Sequence, residues 1–334
     1  MDKLLQPKSA TSAQLSRLPP IVVTNCTTRK RSVAPPAMLV ASKRSESLSA
    51  FAKRWLSVLE KAPHSTTAGE LYVGRAMTEV KRVTRSLQTE FYVVSAGLGF
   101  VHQSEPVPNY DLTVARGSGP LSGALQTSGA SVAQWWRFLT DRSAHRTPLA
   151  DMVRATDPRL VLVALPSSYL RLVSDDLAAI DAETWQRLRI FTSKAGLKTV
   201  PGELTHCVLP YDERLESIPG FDGTRADFPQ RALRHFVLEL RGHSLTLSDA
   251  HSQVDRALAE LKPRAIPVRA KRTDQQITDL IRTHWPACAG NSARLLRQLR
   301  DQELVACEQS RFRDLWRLVK AQQDAETEAR RATK

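Results

Sequence analysis

Arg159-Leu160-Val161-Leu162-Val163-Ala164-Leu165, closed by Pro166-Ser167-Ser168-Tyr169, is the stretch that decides the fold. A strand covered on both faces has no polar side to alternate with, so an unbroken aliphatic run of this length predicts an interior strand of a parallel sheet. Proline cannot donate to a ladder, and Pro166 ends the run. Working outward, Ile21-Val22-Val23-Thr24 and Phe91-Tyr92-Val93-Val94-Ser95 read the same way. Arg189-Ile190-Phe191-Thr192 and Thr205-His206-Cys207-Val208-Leu209 are expected as further strands. Helical apolar spacing lies between them: residues 46–60, with Leu48, Phe51, Trp55, Leu56 and Leu59 on one side, then 68–86, 131–141, 226–240 and 247–261. The strand at 91–95 runs into Ala96-Gly97-Leu98-Gly99-Phe100, a long loop is expected from there to Asn109-Tyr110-Asp111-Leu112, and 116–130 is a Gly/Ser-rich stretch. Strands alternating with helices predict an α/β domain, a mainly parallel sheet flanked by helices.

The chain divides by composition. Residues 1–19 are polar and are expected as a flexible lead; 20–261 form the α/β domain; 262–272, rich in Pro, Lys and Arg, form a basic linker; 273–334 form a small helical module with patterns at 273–284, 291–303 and 309–330. The net charge of +14 sits at the ends. Residues 1–61 hold 11 Lys/Arg against 3 Asp/Glu, and residues 262–334 hold 16 against 9. Basic flanks around a near-neutral body fit a partner that is a polyanion, and DNA is the expected one. The four cysteines, Cys26, Cys207, Cys288 and Cys307, are far apart with no C-x-x-C pair, which argues against a zinc or iron–sulfur site and fits a reducing compartment. No apolar run is long enough for a membrane span and no signal-peptide core opens the chain, so a cytoplasmic location is expected, with no metal and no cofactor.

Ligands of open parallel sheets bind outside the carboxyl ends of the strands. Three such ends stand out. The first is Asn25-Cys26-Thr27-Thr28-Arg29-Lys30-Arg31, which offers a carboxamide, hydroxyls and three cations in one loop. Asn25 is the candidate reader of a base edge, Cys26 and Thr27 line the pocket, and Arg29, Lys30 and Arg31 are candidates for phosphate; a solvated turn is the bland alternative. The second is Ser95-Ala96-Gly97-Leu98-Gly99-Phe100 with Asn109-Tyr110-Asp111. Gly97 permits close backbone approach, Ser95, Phe100 and Tyr110 line the pocket, and Asp111 is the carboxylate for chemistry, since such a group orients water and stabilises an oxocarbenium-like sugar; an N-cap or a loop-organising aspartate is the alternative. His102 follows as a second acid/base candidate. The third is Pro166-Ser167-Ser168-Tyr169, where Ser167 and Ser168 either bind phosphate at a helix start or only cap it.

The ordered set C-T-T-R-K-R (26–31), G-E-L-Y-V-G-R-A (69–76), Y-V-V-S-A-G-L-G-F (92–100) and N-Y-D-L-T (109–113) resembles the YaaA-like superfamily of bacterial proteins over roughly residues 20–115. The resemblance implies DNA association, a base-handling fold of the kind found in DNA glycosylases, and a setting in modified-base or anti-phage systems. It maps Asn25, Ser95, Gly97 and Asp111 onto the family's shared pocket. One departure matters: the aromatic of the family's "S-A-x-Y-G-L" is missing in Gly97-Leu98-Gly99-Phe100, which points to a more open pocket.

In the C-terminal module Asn291 is the expected N-cap, and Arg294, Arg297 and Arg300 recur on one broad helical face with Leu295, Leu296 and Leu299 towards another. Ala289-Gly290 leads into it as in a helix-turn-helix, and a solvated helix packing on the main domain is the alternative. Arg311, Arg313, Arg317 and Lys320 add phosphate candidates. Three functions are compatible with these features: a DNA glycosylase that extrudes a modified base and leaves an abasic site, a non-catalytic protective or regulatory DNA-binding protein, and a base-exchange or nucleotide-modifying enzyme.

Overall fold

The computed structural model describes residues 19–32, 46–64, 66–114, 119–142, 147–263 and 268–332. The chain forms two compact units, Met1–Arg264 and Ala265–Lys334. The expected flexible lead, apart from Pro19, and positions 264–267 of the expected linker lie outside the described residues.

The first unit is built on β1 (Ile21–Asn25), a two-residue β2 (Thr66–Thr67), β3 (Phe91–Ser95), β4 (Gly99–His102), a two-residue β5 (Pro106–Val107), β6 (Val161–Ala164) and β7 (Leu188–Phe191). The main sheet runs β4-β3-β1-β6-β7, with β2 and β5 paired separately. Four of its strands are parallel. Val23 of β1 stands opposite Tyr92 of β3 on one side and Val163 of β6 on the other. Every residue of β1 and β6 is buried, which is why neither strand alternates in sequence. Helix Arg75–Leu87 packs against helix Phe228–Arg234, and helix Leu48–Glu60 packs against helices Pro120–Ser128 and Val132–Arg142. The α/β architecture with a mostly parallel, helix-flanked sheet and a helical C-terminal region is therefore the one read from sequence.

Four local expectations change. Residues 205–209 are not a strand: Gly202–Cys207 winds as a 3₁₀ helix, and Val208 alone bridges to Ile190. Leu204 and Cys207 are the buried pair, a spacing of three that suits one 3₁₀ turn and not a period of two. The helix expected over 68–86 breaks in two, Ala68–Leu71 and Arg75–Leu87, because Tyr72 and Val73 run extended against the Arg29–Arg31 backbone and Gly74 turns the chain at φ +108°. The chain after Ser95, expected to run on into a long loop, folds back as β4, antiparallel to β3, with Ser95 opposite Gly99 and Tyr92 opposite His102. Part of the Gly/Ser-rich stretch is helical, Pro120–Ser128, with proline in the first turn and Gly129 as a left-handed cap.

Three arginines lie in the interior of this unit. Arg231 is fully buried and donates to Asp227 Oδ1 at 2.9 Å and Glu216 Oε1 at 3.1 Å. Arg234 reaches Glu79 at 3.0 and 3.1 Å and ties helix Phe228–Arg234 to helix Arg75–Leu87. Arg189 is buried in β7 and has no carboxylate of this kind among the described residues.

Removing Glu79 strands the Arg234 guanidinium in the interior. Glu79→Ala is expected to cost about 3–5 kcal/mol in urea unfolding. Glu79→Met combined with Arg234→Met is expected to recover most of that loss, and a double variant no more stable than the single one would contradict the pairing.

Candidate functional site

Connections from β1 run first to β3 on one side and later to β6 on the other, so the order of the sheet reverses beside β1. The crevice outside its carboxyl end is where such folds hold ligands. The ladder keeps the strand ends level: Cys26 N donates to Val94 O at 3.0 Å, and Leu165 N to Phe191 O at 3.3 Å.

A cluster of hydroxyls and one thiol occupies this end. Ser95 Oγ accepts from Leu98 N at 3.0 Å and lies 2.5 Å from the Tyr110 hydroxyl. The Tyr72 hydroxyl donates to Ser95 Oγ at 3.2 Å and lies 3.0 Å from that of Tyr110. Cys26 Sγ lies 3.0 Å from the Tyr169 hydroxyl and 3.5 Å from Ala96 N. All five residues are buried. Burial pushes the phenols of Tyr72, Tyr110 and Tyr169 above the usual tyrosine range, so all three are neutral donors. Two tryptophans fix the turn above them: Trp55 Nε1 donates to Gly97 O at 2.6 Å and Trp135 Nε1 to Ala96 O at 2.8 Å.

The structure brings together Cys26, Ser95, Gly97, Tyr110 and Lys30 from the sequence candidates. Gly97 has a different reason to be glycine than ligand approach: a Cβ there would sit 2.5 Å from the Tyr110 ring and 3.0 Å from Trp55. Lys30 is not a free phosphate contact. Its backbone bridges to Tyr72, its amine lies 4.4 Å from the centre of the Tyr110 ring, and burial lowers its pKa, opposed by Cys26 and Asp111. Asp111 itself is exposed next to Tyr110 and within electrostatic reach of that amine. Thr27 is half-buried and its hydroxyl closes the loop by donating to Arg29 O at 2.7 Å; Arg29 and Arg31 are exposed.

Other candidates fall elsewhere. Asn25 cannot read a base edge as placed: its Nδ2 donates to Cys26 O at 2.8 Å and its Oδ1 accepts from Gln230 Nε2 at 2.9 Å. His102 lies beyond the cluster because β4 runs back down the sheet; it sits opposite Tyr92, with Nδ1 at 2.7 Å from Ser104 Oγ and Nε2 at 3.1 Å from Glu90. Phe100 is a sheet residue stacked on Tyr92 at 5.1 Å between ring centres. Ser167 and Ser168 open the helix Ser167–Leu172, half-buried, and Tyr169 is the residue of that turn that joins the cluster.

Sequence reasoning missed Tyr72, Tyr169 and Gln230 as site residues. The two tyrosines lay inside quoted motifs and could have been found there. Gln230 had no local signal: from helix Phe228–Arg234 its Nε2 reaches Thr24 Oγ1 at 3.0 Å and Ala164 O at 2.9 Å, plugging the crevice between β1 and β6. Its Oε1, like Asn109 Oδ1, is buried with no hydrogen-bond partner among the described residues.

The second unit has its own core, Ile277, Ile281, Leu295, Leu299, Phe312 and Val319 among it, and its own short parallel pair, β8 (Ala270–Lys271) with β9 (Val305–Ala306). The unit therefore begins inside the expected linker, with Arg269 Nε donating to Arg300 O at 2.8 Å. Asn291 caps helix Ser292–Asp301 by accepting from Ala293 N and Arg294 N, each at 3.1 Å. The connection from helix Asp274–His284 spans 285–291, longer than a helix-turn-helix turn. A groove of about 840 Å³ lies between helix Ser292–Asp301 and helix Gln309–Ala332, with Arg269, Arg297, Arg300, Arg313 and Arg317 on its walls and Leu296, Phe312 and Trp316 along it. Arg294 is exposed but outside the groove. Arg311 is spent on the fold, donating to Asp274 Oδ1 at 2.7 Å and Arg272 O at 2.9 Å. Arg300 also serves the fold, through Cys307 O at 2.9 Å. Lys320 lies 5.5 Å from the Trp316 ring centre.

No helix among the described residues is long and apolar enough to cross a membrane, and no group of three or more His, Cys, Asp or Glu side chains among them could hold a metal ion. No family model, curated protein or solved structure matches the chain.

The depressed Lys30 amine is directly measurable. In ¹³C-dimethyl-lysine NMR its resonance is expected to titrate below those of exposed lysines. Asp111→Asn removes a charge that favours the ammonium and is expected to lower that midpoint further; an unchanged or raised midpoint would contradict the placement.

Proposed function

We propose that the chain is a DNA-acting enzyme that hydrolyses the N-glycosidic bond of a modified base, leaving an abasic site. One observation carries the reading: residues of four separated motifs, Cys26, Tyr72, Ser95 and Tyr110, meet at the ends of parallel strands, with Asp111 and Lys30 at their edge. Those are the motifs behind the resemblance to YaaA-like proteins, which is why base handling is favoured over other α/β chemistries.

On this reading a nucleotide is extruded from the stack, since the bond is out of reach within a duplex. The bond between C1′ and the base nitrogen breaks and its electron pair leaves with the base. Asp111 stabilises the positive charge developing on the sugar and takes the proton of the water that attacks C1′. Lys30, whose pKa is lowered, gives a proton to the departing base. Asn109 Oδ1, buried without a partner among the described residues, is an acceptor that a ligand donor can satisfy. Asn25 keeps a positioning part, holding Gln230 in the crevice. The arginine groove of the second unit supplies the sequence-independent grip on phosphates.

The non-catalytic reading has one observation in its favour: Ser95, Tyr72 and Tyr110 already satisfy one another. Both readings are separated by duplexes carrying ordinary or bulky modified bases, assayed for free base and alkali-labile sites. Base release is expected, lost at least ~100-fold in Asp111→Asn with binding retained. Binding without release supports the non-catalytic protein. Arg297→Gln with Arg313→Gln is expected to weaken binding across all sequences and to reduce the salt slope by about 1 per arginine. A slope equal to wild type would place the DNA elsewhere.

A further inference from the structure

At the opposite end of the same sheet, where β6 and β7 begin, a cavity of about 300 Å³ is lined by Arg159, Arg187, Arg189, His243, Ser244 and Thr246. Arg189 is the unusual member. It is 1% exposed, and among the described residues its guanidinium donates to backbone carbonyls alone, those of Gln186 at 2.8 Å, Leu188 at 3.0 Å and Leu245 at 3.0 Å. Its Nε is buried with no partner among the described residues. Carbonyl dipoles satisfy donors but leave the charge without a counter-ion. The other two buried arginines of this unit each have carboxylates, so burial without one is not how this chain otherwise treats the residue. Desolvation pushes the Arg189 pKa down to about 10.

The surroundings add positive charge. Arg159 is half-buried in the same wall, and its charge helps lower the His243 pKa, behind desolvation as the largest cause. The ring is hydrogen-bonded to the Val237 backbone, which opposes that lowering, while His243 Nδ1 is buried and has no partner among the described residues. Helix Leu247–Leu258 starts at the cavity, capped by Thr246, and contributes the positive end of its dipole. Of the nearby acids, Asp157 is paired with Arg187 at 2.6 Å, whereas Asp249 accepts from Thr246 Oγ1 at 2.8 Å and keeps its charge.

We propose that this cavity binds a small phosphate-bearing anion, held by Arg159, Arg189 and His243, at a site separate from the strand-end cluster. Its volume is at the low end for ligand cavities, enough for a phosphomonoester with a small body or for the terminal phosphate of a strand, and too small for a duplex. Such a site stands whether or not the chain is a glycosylase.

The test is calorimetric titration of the full chain with inorganic phosphate against chloride at matched ionic strength. Saturable one-site binding and a raised Tm are expected. Arg159→Gln and His243→Gln, both at half-buried positions, are expected to weaken it about tenfold and several-fold, while Arg154→Gln, at an exposed position of helix Leu149–Thr156, leaves it unchanged. Arg297→Gln with Arg313→Gln serves as a second control, because the other unit's groove is also cationic. No saturable binding overturns the proposal. So does wild-type affinity in Arg159→Gln and His243→Gln, or affinity lost only in the Arg297/Arg313 variant. Two further arms name the source. A 5′-phosphorylated oligonucleotide that gains Arg159-dependent affinity over its 5′-hydroxyl form supports the site and points to a strand terminus. Phosphate binding with no such gain supports the site and points to a free phosphorylated compound.

Discussion

Parallel pairing of β1 on both edges is the constraint that the rest of the α/β unit obeys. With β3 on one side and β6 on the other, three chain ends emerge at one level, and each brings a short polar segment to the same place. Cys26 follows β1, Ser95 ends β3, and Tyr169 follows β6. Sheet order then requires the continuing chain to leave in opposite directions, and the gap this opens is filled by Gln230 from a helix more than 200 positions away in sequence. The amide nitrogen that closes it bonds both strands at once, while the amide oxygen stays buried without a partner among the described residues.

The same economy of partners separates structural charge from available charge. Arg231 and Arg234 are buried and neutralised by carboxylates, and they join elements of the fold. Arg311 performs the same service in the C-terminal unit. Arg297, Arg313 and Arg317 are exposed on the walls of a groove, where a polyanion can reach them; Arg313 and Arg317 each lie 3.9 Å from the exposed Asp314, a loose pair that water screens. Charge count in the sequence cannot make this distinction, because it depends on which carboxylate is near in space.

The same physics decides how much was legible in the sequence. The parallel strands were visible because burial on both faces leaves short runs dominated by aliphatic and aromatic residues, with few polar ones such as Thr24 and Arg189 among them. The cap at Asn291 was visible because capping is local. The hairpin β3–β4 was not, since Gly97 and Gly99 read equally well as a loop that admits a ligand. Gly97 instead makes room for the Tyr110 ring, a contact between residues 13 apart that only the folded turn creates. His102 was placed near the pocket by sequence proximity, and the reversal of β4 carried it away. Of the candidate site, Cys26, Ser95, Tyr110, Lys30 and Asp111 hold together, while Asn25 is consumed by the fold and Phe100 belongs to the sheet.

Photo-crosslinking asks most directly whether the strand ends are where nucleic acid is handled. A duplex carrying a single mispaired 5-iodouracil, which extrudes readily, would be irradiated with the full chain and the adducts mapped by mass spectrometry. Crosslinks within residues 26–32 or 109–112 are the result this account predicts. Adducts confined to the C-terminal unit, with none at the ends of β1 and β3, would contradict it.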